Sequence, residues 1–188
     1  MRKFILSALL ICMTTTACVP LVFVAGATIG GAIVYDKRSI QRILEDQSTS
    51  QLIRQQLNDD IVLRKQTHIV VTTFNGIVLL AGQAPTPELK NRAYKIVTRI
   101  RKIRRIFNQI TLEPPTPPIT RSGDTGITAK VRAALLAKKG LHSTQIKVVT
   151  ENGTVYLMGI VSRQQAHMAS NTVREVSGVL SVVKLFEY

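Results

Sequence analysis

The chain has 188 residues and a net charge of +14, from 25 basic and 11 acidic residues. That balance favours an anionic partner: nucleic acid, an anionic membrane surface or an acidic protein. There is no Trp, and the 2 cysteines, Cys12 and Cys18, lie near the N-terminus, which excludes a disulfide framework or a cysteine metal site in the rest of the chain.

Met1-Arg2-Lys3 is a positive start, and Phe4 to Met13 is an apolar run of signal-peptide type. Thr15-Thr16-Ala17-Cys18 resembles a bacterial lipobox. Residues 1–17 therefore read as a lipoprotein signal peptide, with Cys18 lipidated. The apolar stretch Val19 to Tyr35 follows, with Gly26, Gly30 and Gly31 and no charge. It is at the lower limit for a spanning helix. It reads as a membrane-proximal segment beside the lipid, and the alternative, an uncleaved protein anchor, stays open. Residues 18–47 form this lipidated segment and a polar tether. The residue after Cys18 is Val19, not Asp; by resemblance to lipoprotein sorting in Gram-negative bacteria, that implies the outer membrane, facing the periplasm.

Residues 48–112 read as a first small domain. Ile53 and Leu57 at helical spacing predict a short helix from Ser50 to Asp59. Residues 67–74 and 77–83 are β-branched runs separated by Asn75-Gly76, the strongest short hairpin signal because both residues tolerate positive φ. Thr86-Pro87 reads as an N-cap followed by Pro at the first helical position. Leu89, Ala93, Ile96, Val97 and Ile100 form the stripe of that helix, and Ile106 to Leu112 a last strand. Glu113-Pro114-Pro115-Thr116-Pro117-Pro118 then predicts a stiff linker over 113–123.

Residues 124–188 repeat the order. Asp124 is placed as the cap of a helix with Ile127, Val131, Ala134 and Leu135 on its apolar face. Asn75-Gly76-Ile77-Val78-Leu79-Leu80-Ala81-Gly82 returns as Asn152-Gly153-Thr154-Val155-Tyr156-Leu157-Met158-Gly159. Ser162 and Gln165 suggest a capping box, Gly178 a C-cap, and Leu180 to Phe186 a final strand. The fold class is α+β: two tandem αββαβ repeats, each a three-stranded sheet covered by two helices around a single small core.

The Gly-x-Val-x-Leu-x-Gly hairpin, the opening Asp124-Thr125-Gly126-Ile127-Thr128-Ala129-Lys130-Val131-Arg132, and the Gly178-Val179 pair before the last strand resemble the BON domain. Two copies behind a lipobox are similar to dual-BON outer-membrane lipoproteins. The resemblance implies binding of anionic phospholipid and support of envelope integrity. In the first repeat Lys102-Ile103 replaces the Gly-Val pair, and Gly126 stands where relatives can carry a large aromatic.

With the resemblance, Gly126, Ile127, Lys130, Val131, Arg132, Leu136, Lys138 and Lys139 become the candidate lipid-binding residues, since a basic rim beside an apolar stripe suits an interfacial helix. The same pattern suits an ordinary amphipathic core helix. Lys95, Arg99, Arg101, Lys102, Arg104 and Arg105 form a secondary basic patch, which reads equally as a solvated surface or as a footprint for lipid headgroups. His68, His142 and His167 have no metal-ligand spacing, and no nucleophile or paired carboxylates stand in a catalytic context. No enzyme, cofactor, metal or nucleic-acid partner is expected. The runner-up to a lipid-binding protein is a structural protein docking another envelope protein.

Overall fold

The computed structural model describes residues 38–188. The signal peptide, Cys18 and the Val19–Tyr35 segment of the sequence reading lie outside the described residues. The elements run α1 (Ile40–Asp59), α2 (Ile61–Gln66), β1 (His68–Phe74), β2 (Ile77–Gln83), α3 (Pro87–Thr98), β3 (Arg105–Thr111), α4 (Pro118–Ala137), a 3-10 turn (Ser143–Gln145), β4 (Ile146–Glu151), β5 (Thr154–Ile160), α5 (Arg163–Arg174) and β6 (Ser181–Glu187). Each repeat is a three-stranded sheet with its second strand central, antiparallel to the first and parallel to the third.

Both hairpins close on Asn-Gly. Asn75 and Gly76 have φ of 52° and 74°, and Asn152 and Gly153 have 47° and 70°. Positive φ at both central residues matches the right-handed twist of the flanking strands, which is why Asn-Gly belongs there. The helices start where donors would otherwise be orphaned. Thr86 accepts from the Leu89 amide before Pro87, and Ser162 accepts from the Gln165 amide. The capping box at Ser162 is only half made: Gln165 turns away, accepting from the His142 amide and donating to the Gly140 carbonyl.

Four boundaries differ from the sequence reading. α1 begins at Ile40, so 40–47 are helix rather than tether. α2 is an added helix after the predicted end at Asp59, capped by Asp60 through the Val62 and Leu63 amides. α4 begins at Pro118, inside the predicted linker, because Pro at N1 needs no amide partner and its φ suits a first turn. Asp124 is therefore mid-helix, not an N-cap. α5 ends at Arg174, short of Gly178.

The largest departure concerns the core. Each sheet has one face under its own helices. Ile53, Leu57, Leu89, Ala93 and Val97 pack on Val71, Val78, Leu80 and Ile110; Val131, Leu135, Ala166, Ala169 and Val173 pack on Val148, Val155 and Leu157. The other faces pack on each other. Phe74, Ile77, Leu79 and Ala81 of the first sheet join Tyr156, Met158 and Leu185 of the second in a third buried cluster. β2 is buried along its whole length, even residues to its helices and odd ones to the opposing sheet. A central strand covered on both sides reads as a continuous apolar run, as Ile77 to Ala81 does. The expectation of one core per repeat thus gives way to two cores and a shared layer between them.

Polar contacts close both ends of that layer. At one end Asn75 donates to Glu187 at 2.7 Å and Arg104 pairs with Glu187 at 2.9 Å. At the other, the buried Gln83 amide donates to Glu151 at 3.0 Å, and His68 lies 3.4 Å from the same carboxylate. The start of β2 meets the end of β6, and the end of β2 meets the end of β4, so the two central strands run in opposed directions.

Candidate functional site

α4 carries most of the predicted binding residues, and one side chain fixes how it sits. Asp124, 6% exposed, accepts from the Asn152 amide at 2.8 Å and the Gly153 amide at 2.9 Å. Asp46 does the same in α1 for the Asn75 amide at 2.6 Å and the Gly76 amide at 2.8 Å. A carboxylate projecting from the helix thus saturates two turn amides, and charge-assisted bonds of this kind are among the stronger ones in a fold. It pins the helix across its sheet and leaves the opposite side of the helix outward.

The predicted residues of α4 divide between these two sides. Val131 is fully buried in the second core, and Ile127 packs against it and lies beside Gly178, where an added Cβ would come within 3.0 Å of the Ile127 side chain. Both are core residues, which corrects their assignment to a lipid surface. Gly126, Lys130 and Leu136 face solvent, Leu136 at 74% exposure. Arg132 is exposed but turned toward the first repeat, where it lines a cleft. Lys138 and Lys139 follow the helix end, exposed, where the macrodipole favours cations.

Sequence reasoning missed three members of the outward face. Ile119, Ala129 and Ala133 are exposed on the same helix, Ile119 at 79%. Ile119 stands seven residues before Gly126, and Gly126, Ala129, Ala133 and Leu136 follow at spacings of three or four, which places all five on one helix side. The face runs apolar and small from Ile119 to Leu136, holds no acidic residue, and has Lys130 beside it and Lys138 and Lys139 at its end. Pro118, read as the N1 position of a helix, was the signal that would have joined Ile119 to the rest.

The secondary patch is spread over three settings. Lys95, Arg99 and Arg101 are exposed around the end of α3. Arg104 is tied between Glu187 and the Asn75 carbonyl, and Lys102 reaches Glu45 at 4.0 Å. Arg105 lies over the Phe107 ring at 5.8 Å. Arg104 is a structural bridge between repeats rather than a free cation. No helix among the described residues is long and apolar enough to cross a membrane.

Comparison with known proteins agrees with this architecture. The family model of the BON domain matches residues 45–114 and 123–188. The chain is 26% identical over 165 residues to Outer membrane lipoprotein DolP of Haemophilus influenzae, covering 88% of this chain and 86% of that protein. It is 33% identical over 153 residues to a 21 kDa hemolysin of Actinobacillus pleuropneumoniae, covering 81% of this chain and 79% of the relative. It is 29% identical over 121 residues to Osmotically-inducible protein Y of Escherichia coli, covering 63% of this chain and 60% of that one.

Proposed function

Since the chain belongs to the BON domain family, in two copies, we propose that it is a periplasm-facing lipoprotein that binds anionic phospholipid through the outward face of α4 and supports envelope integrity. It is an outer-membrane protein of the cell envelope, like the Haemophilus lipoprotein it matches over most of its length. In this reading it is a binding protein and not an enzyme.

The observation that carries the proposal is the outward face itself. A helix of a water-soluble domain ordinarily turns polar residues outward. α4 instead turns out Ile119, Gly126, Ala129, Ala133 and Leu136, with lysines at its side and end. Apolar area lying in the headgroup region with cations beside it is the composition of an interfacial helix. Each cation near an anionic leaflet adds about 1 kcal/mol. An acyl chain at Cys18 would supply the second signal that stable anchoring takes. The first repeat also exposes Ile40, Leu44 and Leu52 on α1. Arg42 and Glu45 pair beside them, whereas the α4 face has cations and no acidic residue at its rim. The first repeat is therefore assigned the weaker, diffuse attraction.

The absence of Trp from the sequence provides the test. Gly126→Trp in the full chain introduces a single indole, and a Cβ at Gly126 meets no neighbour. On vesicles of brominated phosphatidylglycerol its emission should shift to the blue and be quenched, and less so on phosphatidylcholine. An indole that stays water-exposed and unquenched on anionic vesicles rules out α4 as the contact.

A further inference from the structure

α1 and β1 of the first repeat and α4 and β4 of the second leave a cleft of about 430 Å³ between them. That lies within the roughly 300–1,000 Å³ of small-ligand sites. Arg38, Arg54, Arg132 and Lys147 all line it, and Asp46 is the only acidic residue among the described residues of its lining. Asp46 is already committed: its oxygens accept from the Asn75 and Gly76 amides and from Arg38 at 2.8 Å. The cleft therefore brings four cations together with one carboxylate, which is taken up by Arg38 and the two turn amides and leaves Arg54, Arg132 and Lys147 without an acidic partner in the lining.

Arg54 and Lys147 keep donor capacity beyond their protein partners. Arg54 is spent only in part, donating from one nitrogen to the Val71 carbonyl at 2.7 Å. Lys147 donates once, to the Thr73 carbonyl at 3.2 Å, and an ammonium has three donors. Thr73 presents the one buried side-chain polar atom among the described residues without a hydrogen-bond partner, its hydroxyl oxygen. Desolvation first, and then the nearby charges of Arg38, Arg54 and Arg132, hold the Lys147 pKa below the ordinary lysine range. Concentrating like charges in a half-buried cleft costs free energy, and an anion would offset it.

We propose that this cleft binds a phosphate-bearing anion, held by Lys147, Arg54 and Arg132. A phosphate suits it better than a carboxylate. Its several charged oxygens can meet three cations from two repeats at once, and guanidinium groups match that geometry. The ligand could be the headgroup of an anionic lipid or a free phosphate compound of the periplasm. The site is separate from the outward face of α4 and requires no membrane.

The test uses the full chain, labelled with ¹⁵N, in neutral dodecyl maltoside micelles. Inorganic phosphate is titrated against chloride at matched ionic strength. Saturable shifts are expected at the Thr73, Phe74 and Lys147 amides. Lys147→Gln and Arg132→Gln should each weaken that saturation about tenfold, as loss of a charge-assisted bond does. Arg132 is exposed, so its variant keeps the test valid even where Lys147→Gln disturbs the fold, and thermal unfolding verifies both. Nanodiscs separate the two sources. Shifts of these amides on phosphatidylglycerol, reversed by added phosphate, identify a lipid headgroup; shifts from phosphate alone, unaltered by phosphatidylglycerol, identify a soluble ligand. Absence of shifts beyond chloride in both settings overturns the proposal, as does undiminished binding in the two variants. Failure of the α4 reading would register instead in the indole quenching, which this titration does not use.

Discussion

Lys102 and Gly178 hold the same place, three residues before the last strand of their repeats, and both are left-handed, with φ of 71° and 96°. The connection needs that conformation in both copies, and only one of them has glycine. A non-glycine residue there gives up roughly 1–2 kcal/mol, while glycine adds up to about 1 kcal/mol of freedom to the unfolded chain. Lys102→Gly should therefore raise stability by roughly 0.5–1 kcal/mol. The substitution also removes the pairing of a largely exposed lysine with Glu45 at 4.0 Å, and such surface pairs are worth little. Gly178→Ala should destabilise by about 1 kcal/mol or more, since its Cβ would also crowd Ile127. Urea unfolding of the two variants is the measurement, and opposite signs are the expected result.

Asp124→Ala should cost about 2 kcal/mol or more, because it strands the Asn152 and Gly153 amides, the latter buried. Asp124→Asn keeps one acceptor oxygen and should lose less. Hydrogen exchange of the Asn152 and Gly153 amides should speed up in the alanine variant before the rest of β5. A variant as stable as the parent would mean the carboxylate does not hold the turn.

The two repeats should unfold together. Leu79 is fully buried in the layer that both sheets share. Leu79→Ala should lower stability by about 2–5 kcal/mol, and it should lower both repeats equally. Amide probes in β1 and in β4 would report this, and two separate transitions would count against a shared layer.

Tyr156, 4% exposed in the same layer, links that layer to pH. Burial, and then the nearby Glu151 carboxylate, raise its phenol pKa. A group whose folded pKa is raised stabilises fully below its unfolded pKa, near 10 for tyrosine. That stability is lost as pH climbs through the folded value. Stability should thus decline above about pH 10, and Tyr156→Phe should decline less. Parallel alkaline curves for the two proteins would remove Tyr156 as the cause.

On anionic vesicles the second repeat should dominate. In the Gly126→Trp background, Lys130→Glu with Lys139→Glu should reduce quenching more than Arg99→Glu with Arg101→Glu. These pairs avoid Arg104, which bridges to Glu187, and Arg132, which lines the cleft. High salt, with a screening length of about 3 Å at 1 M, should erase the contribution of the first-repeat pair and spare part of the contact made by Leu136. Greater loss from the first-repeat pair would move the contact to α3.

Much of this was legible in the sequence because it is local. Asn-Gly between β-branched runs marked both hairpins, and Thr86-Pro87 and Ser162 marked helix starts that the structure keeps. Other features depend on partners far along the chain. Asp46 fell within the polar tether because its role is set by amides in the hairpin at Asn75. α4 was cut short because Ser122-Gly123-Asp124-Thr125-Gly126 are poor helix formers, yet Pro118 starts the helix and the core holds Ile127, Val131 and Leu135. The shared layer had a visible trace, the unbroken run Ile77 to Ala81, but nothing local says what covers its second face.

Only residues 112–117 connect β3 to α4. So short a tether makes the meeting of the two sheets an intramolecular event, with an effective concentration on the order of millimolar. The repeats need little affinity for each other as free bodies, and their facing surfaces can tolerate drift that would separate two independent chains. Duplication followed by a short join would leave each copy one apolar sheet surface already matched, and its helices free to diverge toward different tasks.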